Sequence, residues 1–247
     1  MNKYKSLFIF LFIFVFSVTG QNLRVAWLTD IHVGYDKSDS VILKQIDKIN
    51  SLKDVGFVVV SGDVTELGKW DELERAQKLL SKLNKRFLVI PGNHDTKWSD
   101  MGGMEFSTIF GDNKFRFDTL NYVFIGLNSG IVLRGGGGHV VPEDIAWLEN
   151  QIKITPENKE IYFFIHHPLD GDVDNWYKVT NILRKKNLKA IFVGHGHVNK
   201  QMEFDMLPAY MGVGSTSKTK IYGFHLIDFT KKEMKITTIG SVKVDST

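Results

Sequence analysis

Two aspartates, one asparagine and five histidines, drawn from a chain with only eight histidines, fall in short polar clusters that each follow an apolar run. They are Asp30 and His32 in "LTDIH", Asp63 in "SGD", Asn93 and His94 in "PGNHD", His166 in "FFIH", and His195 and His197 in "GHGH". A lone loop histidine is more often a surface or hydrogen-bonded residue than a ligand, and His139 and His225 keep that reading. Asp-x-His and His-x-His spacings are different. In an extended segment residues i and i+2 lie on one side of the backbone, so each pair can reach into a single cavity. The chain has no cysteine, which removes disulfides, iron–sulfur clusters, thiolate zinc sites and cysteine nucleophiles. A metal held here must use His, Asp, Glu or Asn, and that mixture of nitrogen and oxygen donors suits Zn, Mn or Fe better than calcium.

Such a cluster needs elements that bring distant residues together. Short apolar runs alternate with amphipathic segments, the pattern of β-α units. Residues 23–29, 57–60, 86–90, 122–127, 161–165 and 190–193 read as strands, and 39–53, 70–83, 142–153 and 175–186 as helices, the third starting on Pro142. After about Lys200 the helices stop, and "MEF", "AYMGVG", "YGFHLIDF" and "MKITTIG" read as closing strands. Each polar cluster sits just past the carboxyl end of one of the first six strands. In parallel α/β sheets those ends share one edge, where ligands bind, so pieces spread from Asp30 to His197 converge.

With 247 residues and 43% hydrophobic content, the chain can bury the core of one α/β domain. Its N-terminus, "MNKYKSLFIFLFIFVFSVTG", has two lysines, an apolar run from Leu7 to Phe16 and small residues before Gly20. This is the layout of a secretory signal peptide over residues 1–20, followed by one domain over 21–247. The apolar run is shorter than the ~20 residues that span a bilayer, so the mature chain is expected to be exported without a membrane span. Loss of Lys3 and Lys5 leaves 29 basic against 28 acidic residues and lowers the net charge from +3 to +1. No charged block is left that would form a dedicated nucleic-acid face.

The ordered series Asp30-x-His32, Gly62-Asp63, Gly92-Asn93-His94-Asp95, His166 and Gly194-His195-x-His197 resembles the calcineurin-like metallophosphoesterase superfamily. The resemblance implies a four-layer α/β/β/α sandwich, two mixed β-sheets flanked by helices, with two metal ions such as Mn, Fe, Zn or Ni. It implies that Asp30, His32 and His197 hold one metal and that Asn93, His166 and His195 hold the other. Asp63 would bridge them, one carboxylate oxygen to each, and a bridging hydroxide would attack a phosphate mono- or diester. Two divalent ions, two carboxylates and one hydroxide leave the pocket at about +1, which suits an anionic ester. His94, not required as a ligand in this pattern, is expected to protonate the leaving group. Asp95 is expected to accept a hydrogen bond from the other His94 ring nitrogen and to raise its pKa, or else to cap the turn.

Differences from sibling branches narrow the resemblance. Purple acid phosphatases place a metal-bound Tyr where this chain has Glu66, and "GDVTELG" lacks the arginine of the protein Ser/Thr phosphatases. That string is similar to the cyclic-nucleotide phosphodiesterase-like branch. Lys97, Trp98, Asn128, Arg134, His139 and Trp176 are candidates for the substrate side, and "RGGGGHV" (134–140) for a flexible rim loop. The competing readings are a catalytically silent metal-binding scaffold, which the complete set of seven ligand positions disfavours, and an exonuclease-like phosphodiesterase, which the near-neutral mature charge disfavours.

Overall fold

In the computed structural model, which describes residues 22–132, 135–216, 218, 221–230 and 232–242, seventeen elements follow one another. The first part runs β1 (Leu23–Leu28), α1 (Ser38–Ser51), β2 (Val55–Ser61), α2 (Trp70–Leu80), β3 (Arg86–Ile90), α3 (Asn93–Thr96) and α4 (Met104–Phe110). The middle runs β4 (Phe115–Thr119), β5 (Tyr122–Leu127), α5 (Pro142–Ile154), β6 (Glu160–Ile165), α6 (Trp176–Leu183) and β7 (Leu188–Val193). Four strands end it: β8 (Lys200–Phe204), β9 (Leu207–Met211), β10 (Ile221–Phe229) and β11 (Met234–Val242). The proposed signal peptide, residues 1–20, and Arg134 lie outside the described residues.

Two sheets result, ordered β11-β10-β1-β2-β3 and β4-β5-β6-β7-β9-β8. In the first, β1, β2 and β3 are parallel, and in the second, β5, β6 and β7 are parallel. Period-2 alternation explains how both faces of these strands stay dry. Val25, Trp27, Phe57, Val59, Leu88 and Ile90 face the second sheet, where they meet Phe124, Tyr162, Phe164, Ala190 and Phe192. The alternate residues Ala26, Leu28, Val58 and Val60 face α1, α2 and α4. Ile161, Phe163, Ile165, Ile191 and Val193 face α5 and α6. The layers are therefore helix, sheet, sheet, helix, the sandwich anticipated above.

The differences from the sequence-based expectation are local. Phe115–Thr119 forms an unanticipated edge strand, antiparallel to β5. Only Phe115 and Phe117 of its five residues pack on the inter-sheet core, which makes a weak period-2 signal. The short helices α3 and α4 lie outside the helices expected from the sequence pattern. The closing strands divide between the sheets: β9 pairs parallel with β7, whereas β10 crosses back to pair antiparallel with β1.

The inter-sheet layer is aromatic. Phe164 stacks on Phe192 with centroids 4.7 Å apart and meets Trp27 edge-on at 6.4 Å, and all three are fully buried. Phe164→Ala would leave a cavity between two sheets that cannot close over it. A stability loss of about 3–5 kcal/mol is expected in urea unfolding of the metal-free chain, and a loss under about 1 kcal/mol would contradict this packing.

Candidate metal centre

The loops after β1 and β2 are laced together by their main chains. Asp30 N donates to Gly62 O, His32 N to Asp63 O and Val33 N to Val64 O, each at 2.9 Å. The i, i+2 pairs do not achieve their convergence through extended backbone, contrary to the sequence reading. Asp30, His32, Asp63, His195 and His197 all have left-handed φ, at 53°, 45°, 48°, 65° and 53°. Non-glycine residues there cost on the order of 1–3 kcal/mol each and persist where surrounding structure over-determines them, typically at functional sites. Gly62 has φ 95° and approaches so closely that an added Cβ would lie 2.5 Å from His166 Nδ1. Only glycine lets that histidine slide beneath the loop.

Seven of the expected residues meet. Asp30 Oδ1 lies 3.0 Å from His197 Nε2, which lies 3.4 Å from His32 Nε2. Asn93 Oδ1 lies 3.0 Å from His195 Nδ1. Between these groups stands Asp63, whose Oδ2 is 3.3 Å from His166 Nε2 and 3.7 Å from His32 Nε2. Its Oδ1 accepts the His94 main-chain N–H at 2.9 Å. One oxygen therefore faces both histidines, rather than one oxygen for each side.

This donor set fits metal ions. The ligand atoms of Asp30, His32 and His197 lie within 4.8 Å of one another, as do those of Asp30, Asp63 and His166. His166 Nε2 is buried and, although Asp63 Oδ2 stands 3.3 Å away, makes no well-aligned hydrogen bond among the described residues. A buried nitrogen left this way is costly unless something occupies the space before it. The electrostatics agree. Burial pushes the Asp63 carboxyl up, but the charges of His166, His32 and His94 outweigh it and hold it well below its usual range. Burial pulls His166 down, yet Asp63 and then Asp30 carry it up to about 9.

His94 and Asp95 do not form the expected pair. The Asp95 carboxylate is saturated by Val64 N at 3.0 Å, Thr65 N at 2.8 Å, Thr65 Oγ1 at 2.7 Å and Gly92 N at 2.8 Å. It is a buried knot between the β2 and β3 loops, the turn-capping alternative, and burial with the Asp63 charge raises it to about 6. His94 Nδ1 instead faces Glu66 O at 2.6 Å. Its pKa is lowered, not raised, because burial outweighs the Asp63 charge.

The substrate-side candidates separate. Trp98 meets the His94 ring edge-on at 5.3 Å and carries Lys97 Nζ 4.3 Å over its own ring, so these two stand at the rim. Asn128 caps its own loop by accepting from Gly130 N, and His139 pairs with Asp174 at 2.6 Å. Trp176 packs on the outer core of the second sheet. The rim loop does approach the centre, since a Cβ on Gly136 would lie 3.7 Å from the His195 ring.

The sequence reading missed three residues. His167 is fully buried against His195, with Nδ1 2.8 Å from Ser129 Oγ, and its place beside His166 was a visible signal. Glu66 and Lys218 flank His32, with Glu66 Oε2 2.9 Å from His32 Nδ1. Lys218 comes from the segment before β10, where no motif marks it.

Fold and donor set together define a metallophosphoesterase. The chain belongs to the calcineurin-like phosphoesterase family, whose profile matches residues 23–199, and is thereby a hydrolase of phosphoric ester bonds. It is 26% identical over 211 residues to a probable cyclic nucleotide phosphodiesterase of Fibrobacter succinogenes, covering 76% of this chain and 78% of that one. It is 31% identical over 156 residues to a probable glycerophosphodiester phosphodiesterase of Arcobacter nitrofigilis, covering 58% of this chain and 56% of the relative. Among solved structures, a purple acid phosphatase from yellow lupin seeds shares the fold with a TM-score of 0.66 at 13% identity. The match covers 90% of this chain and 53% of the lupin protein.

Metal uptake should be proton-linked. In the metal-free chain the charged His166–Asp63 pair stabilises the fold fully below the ordinary histidine value, and that contribution is lost as pH rises through about 9. A ligating histidine must give up its proton. Zinc binding is therefore expected to release protons at neutral pH and to tighten as pH rises toward about 9. Calorimetry in buffers of different ionisation enthalpy measures this, and pH-independent uptake without proton release would contradict it.

Proposed function

We propose that the chain is an exported phosphoesterase of one domain, residues 21–247, that holds two divalent metal ions and hydrolyses phosphate mono- or diesters. The observation that carries this reading is the contiguity of the seven donor residues, with His32 and His166 facing Asp63 Oδ2, His197 on Asp30 and His195 on Asn93. Asp30, His32 and His197 would hold one ion, and Asn93, His166 and His195 the other, with Asp63 between them. When bound, the ions supply positive charge that polarises a phosphoryl oxygen and activates water as the nucleophile. The protein supplies the rest. Only Asp30 and Asp63 bring negative charge among the seven, so the cations are under-neutralised and an anionic ester is attracted. Burial of Asp30, His32, Asp63 and His166 excludes bulk water from the floor of the site and strengthens that attraction.

His94 stands beside the centre, its ring 4.7 Å from that of His32 and its main chain on Asp63. With Nδ1–H directed at Glu66 O, Nε2 is the atom left for the leaving group; in the doubly protonated ring the Nε2 proton would pass to the departing alkoxide and leave the neutral Nδ1–H imidazole behind. Export rests on residues 1–20, and the phosphodiesterase names of the relatives support trying diesters first.

The test is an assay of metal-reconstituted mature protein on aryl mono- and diesters and on cyclic and linear nucleotides. Hydrolysis of at least one class is expected, with Asp63→Ala lowering it by at least about 100-fold, because removing a ligand costs more than altering a residue that only orients one. A fully metallated chain that hydrolyses none of them would sink the enzymatic reading. His94→Ala should retain its metals and lose about 10²–10⁴-fold on diesters with alkyl leaving groups. The loss on aryl esters should be much smaller, since an aryloxide departs without a proton. Metal loss on His94→Ala would contradict the assigned role.

A further inference from the structure

Two imidazoles in this site need a defined tautomer. His32 must offer Nε2 to the cavity, and His94 must keep Nε2 for the leaving group. Both turn their other nitrogen to the same residue. His32 Nδ1 lies 2.9 Å from the Glu66 carboxylate, and His94 Nδ1 lies 2.6 Å from the Glu66 main-chain oxygen. A carbonyl oxygen can only accept, as can an ionised carboxylate, so both contacts call for the hydrogen on Nδ1; at His32 the carboxylate at 2.9 Å outweighs Lys218 Nζ, a donor 3.5 Å from the same nitrogen whose hydrogens are directed at both Glu66 oxygens.

Glu66 is itself fixed from two directions. Its N–H donates to Val33 O at 3.0 Å, extending the lacing that already joins His32 to Asp63. Lys218 Nζ donates to both carboxylate oxygens, at 3.0 and 2.8 Å, while lying 5.0 Å from the centre of the Tyr35 ring. The His32–Glu66–His94 triangle also has the spacing of a cation site. The Lys218 ammonium takes the position a cation would need at that carboxylate, which makes the triangle an anchor and not a third metal centre.

We propose that Glu66 is the positioning residue of this centre: its carboxylate holds His32, and its main-chain carbonyl holds His94, as Nδ1–H imidazoles, with Lys218 as the counter-charge. The inference rests on the roles given to His32 and His94 under the proposed function. It makes an asymmetric demand on substitution. Removing the side chain frees His32 and leaves His94 held, because the carbonyl remains.

The test reads tautomers directly, by long-range ¹H–¹⁵N spectra of histidine-labelled, metal-stripped protein, taken at a pH at which the two nitrogens of each ring show the separate shifts of a neutral imidazole. The expected result is Nδ1–H at both rings in the unsubstituted chain. In Glu66→Ala, His32 should lose that preference while His94 keeps it, and zinc affinity at one of two sites should fall about 10–100-fold. Glu66→Gln, whose amide oxygen still accepts, should restore the His32 tautomer and most of the zinc affinity. An Nε2–H tautomer at His32 in the unsubstituted chain would overturn the proposal, and this holds even where Glu66→Ala does not fold. So would a Glu66→Ala chain in which both rings change together, or in which His32 stays Nδ1–H and zinc affinity stays within about twofold. None of these readouts uses turnover. A chain with the expected tautomers that hydrolyses no phosphate ester overturns the proposed function alone.

Discussion

Asp63 spends one carboxylate oxygen on the main-chain N–H of His94 and has only Oδ2 left to face His32 and His166. That division fixes the geometry of everything around it. The β3 loop is tied to the β2 loop by the same bond that orients the carboxylate, so neither can move without rotating the other. Asp95 repeats the device from the opposite side, joining Val64, Thr65 and Gly92 through one buried carboxylate. The two aspartates clamp the loop between them, and its residues Val64 to Glu66 run alongside His32. The cavity is held by main-chain donors, which side-chain substitution elsewhere cannot remove.

The sandwich makes this possible by leaving the loops no alternative path. Each central strand buries both of its faces, Phe57 and Val59 toward the aromatic layer and Val58 and Val60 toward the helices. A one-residue slip would exchange these faces and strand the valines in the aromatic layer. With register locked, the residue at which each strand ends is also locked, and the next few residues must turn at once. Left-handed conformations at Asp30, His32, Asp63, His195 and His197 are the local cost of that turn. The apolar burial beneath offsets it, and the lacing between Asp30 and Gly62 holds it in place.

The identity of the donor residues was legible in the sequence because types and strand ends are both visible there. Asp30, His32, Asp63, Asn93, His166, His195 and His197 each follow an apolar run, and parallel topology does the rest. What was illegible depends on backbone direction. Extended chain would bring the i, i+2 residues to one side, whereas left-handed backbone at Asp30, His32, His195 and His197 does so here. Asp95 was paired with His94 on adjacency alone, whereas its partners are main-chain amides of residues 64, 65 and 92, whose positions no side-chain pattern records. Lys218 lies 152 residues from Glu66, in a segment without periodicity, so their pairing is purely tertiary.

The exchange of a carboxylate for a carbonyl behind His94 has a chemical consequence. An anionic partner would raise the affinity of the ring for a proton and would add negative charge where an anionic ester must bind. A carbonyl orients the ring equally well and adds none. The Glu66 carboxylate lies 3.9 Å from His94 Nδ1, and Lys218 already balances it. Burial then outweighs the Asp63 charge and lowers the His94 pKa, and a less basic ring, once protonated, gives up its proton more readily when an alkoxide appears. The same economy of negative charge governs the ligand set, where five neutral donors surround two carboxylates. Orientation comes from neutral main-chain groups at His94 and Asp63 and from a carboxylate balanced by Lys218 at His32, so the positive field is kept for the substrate.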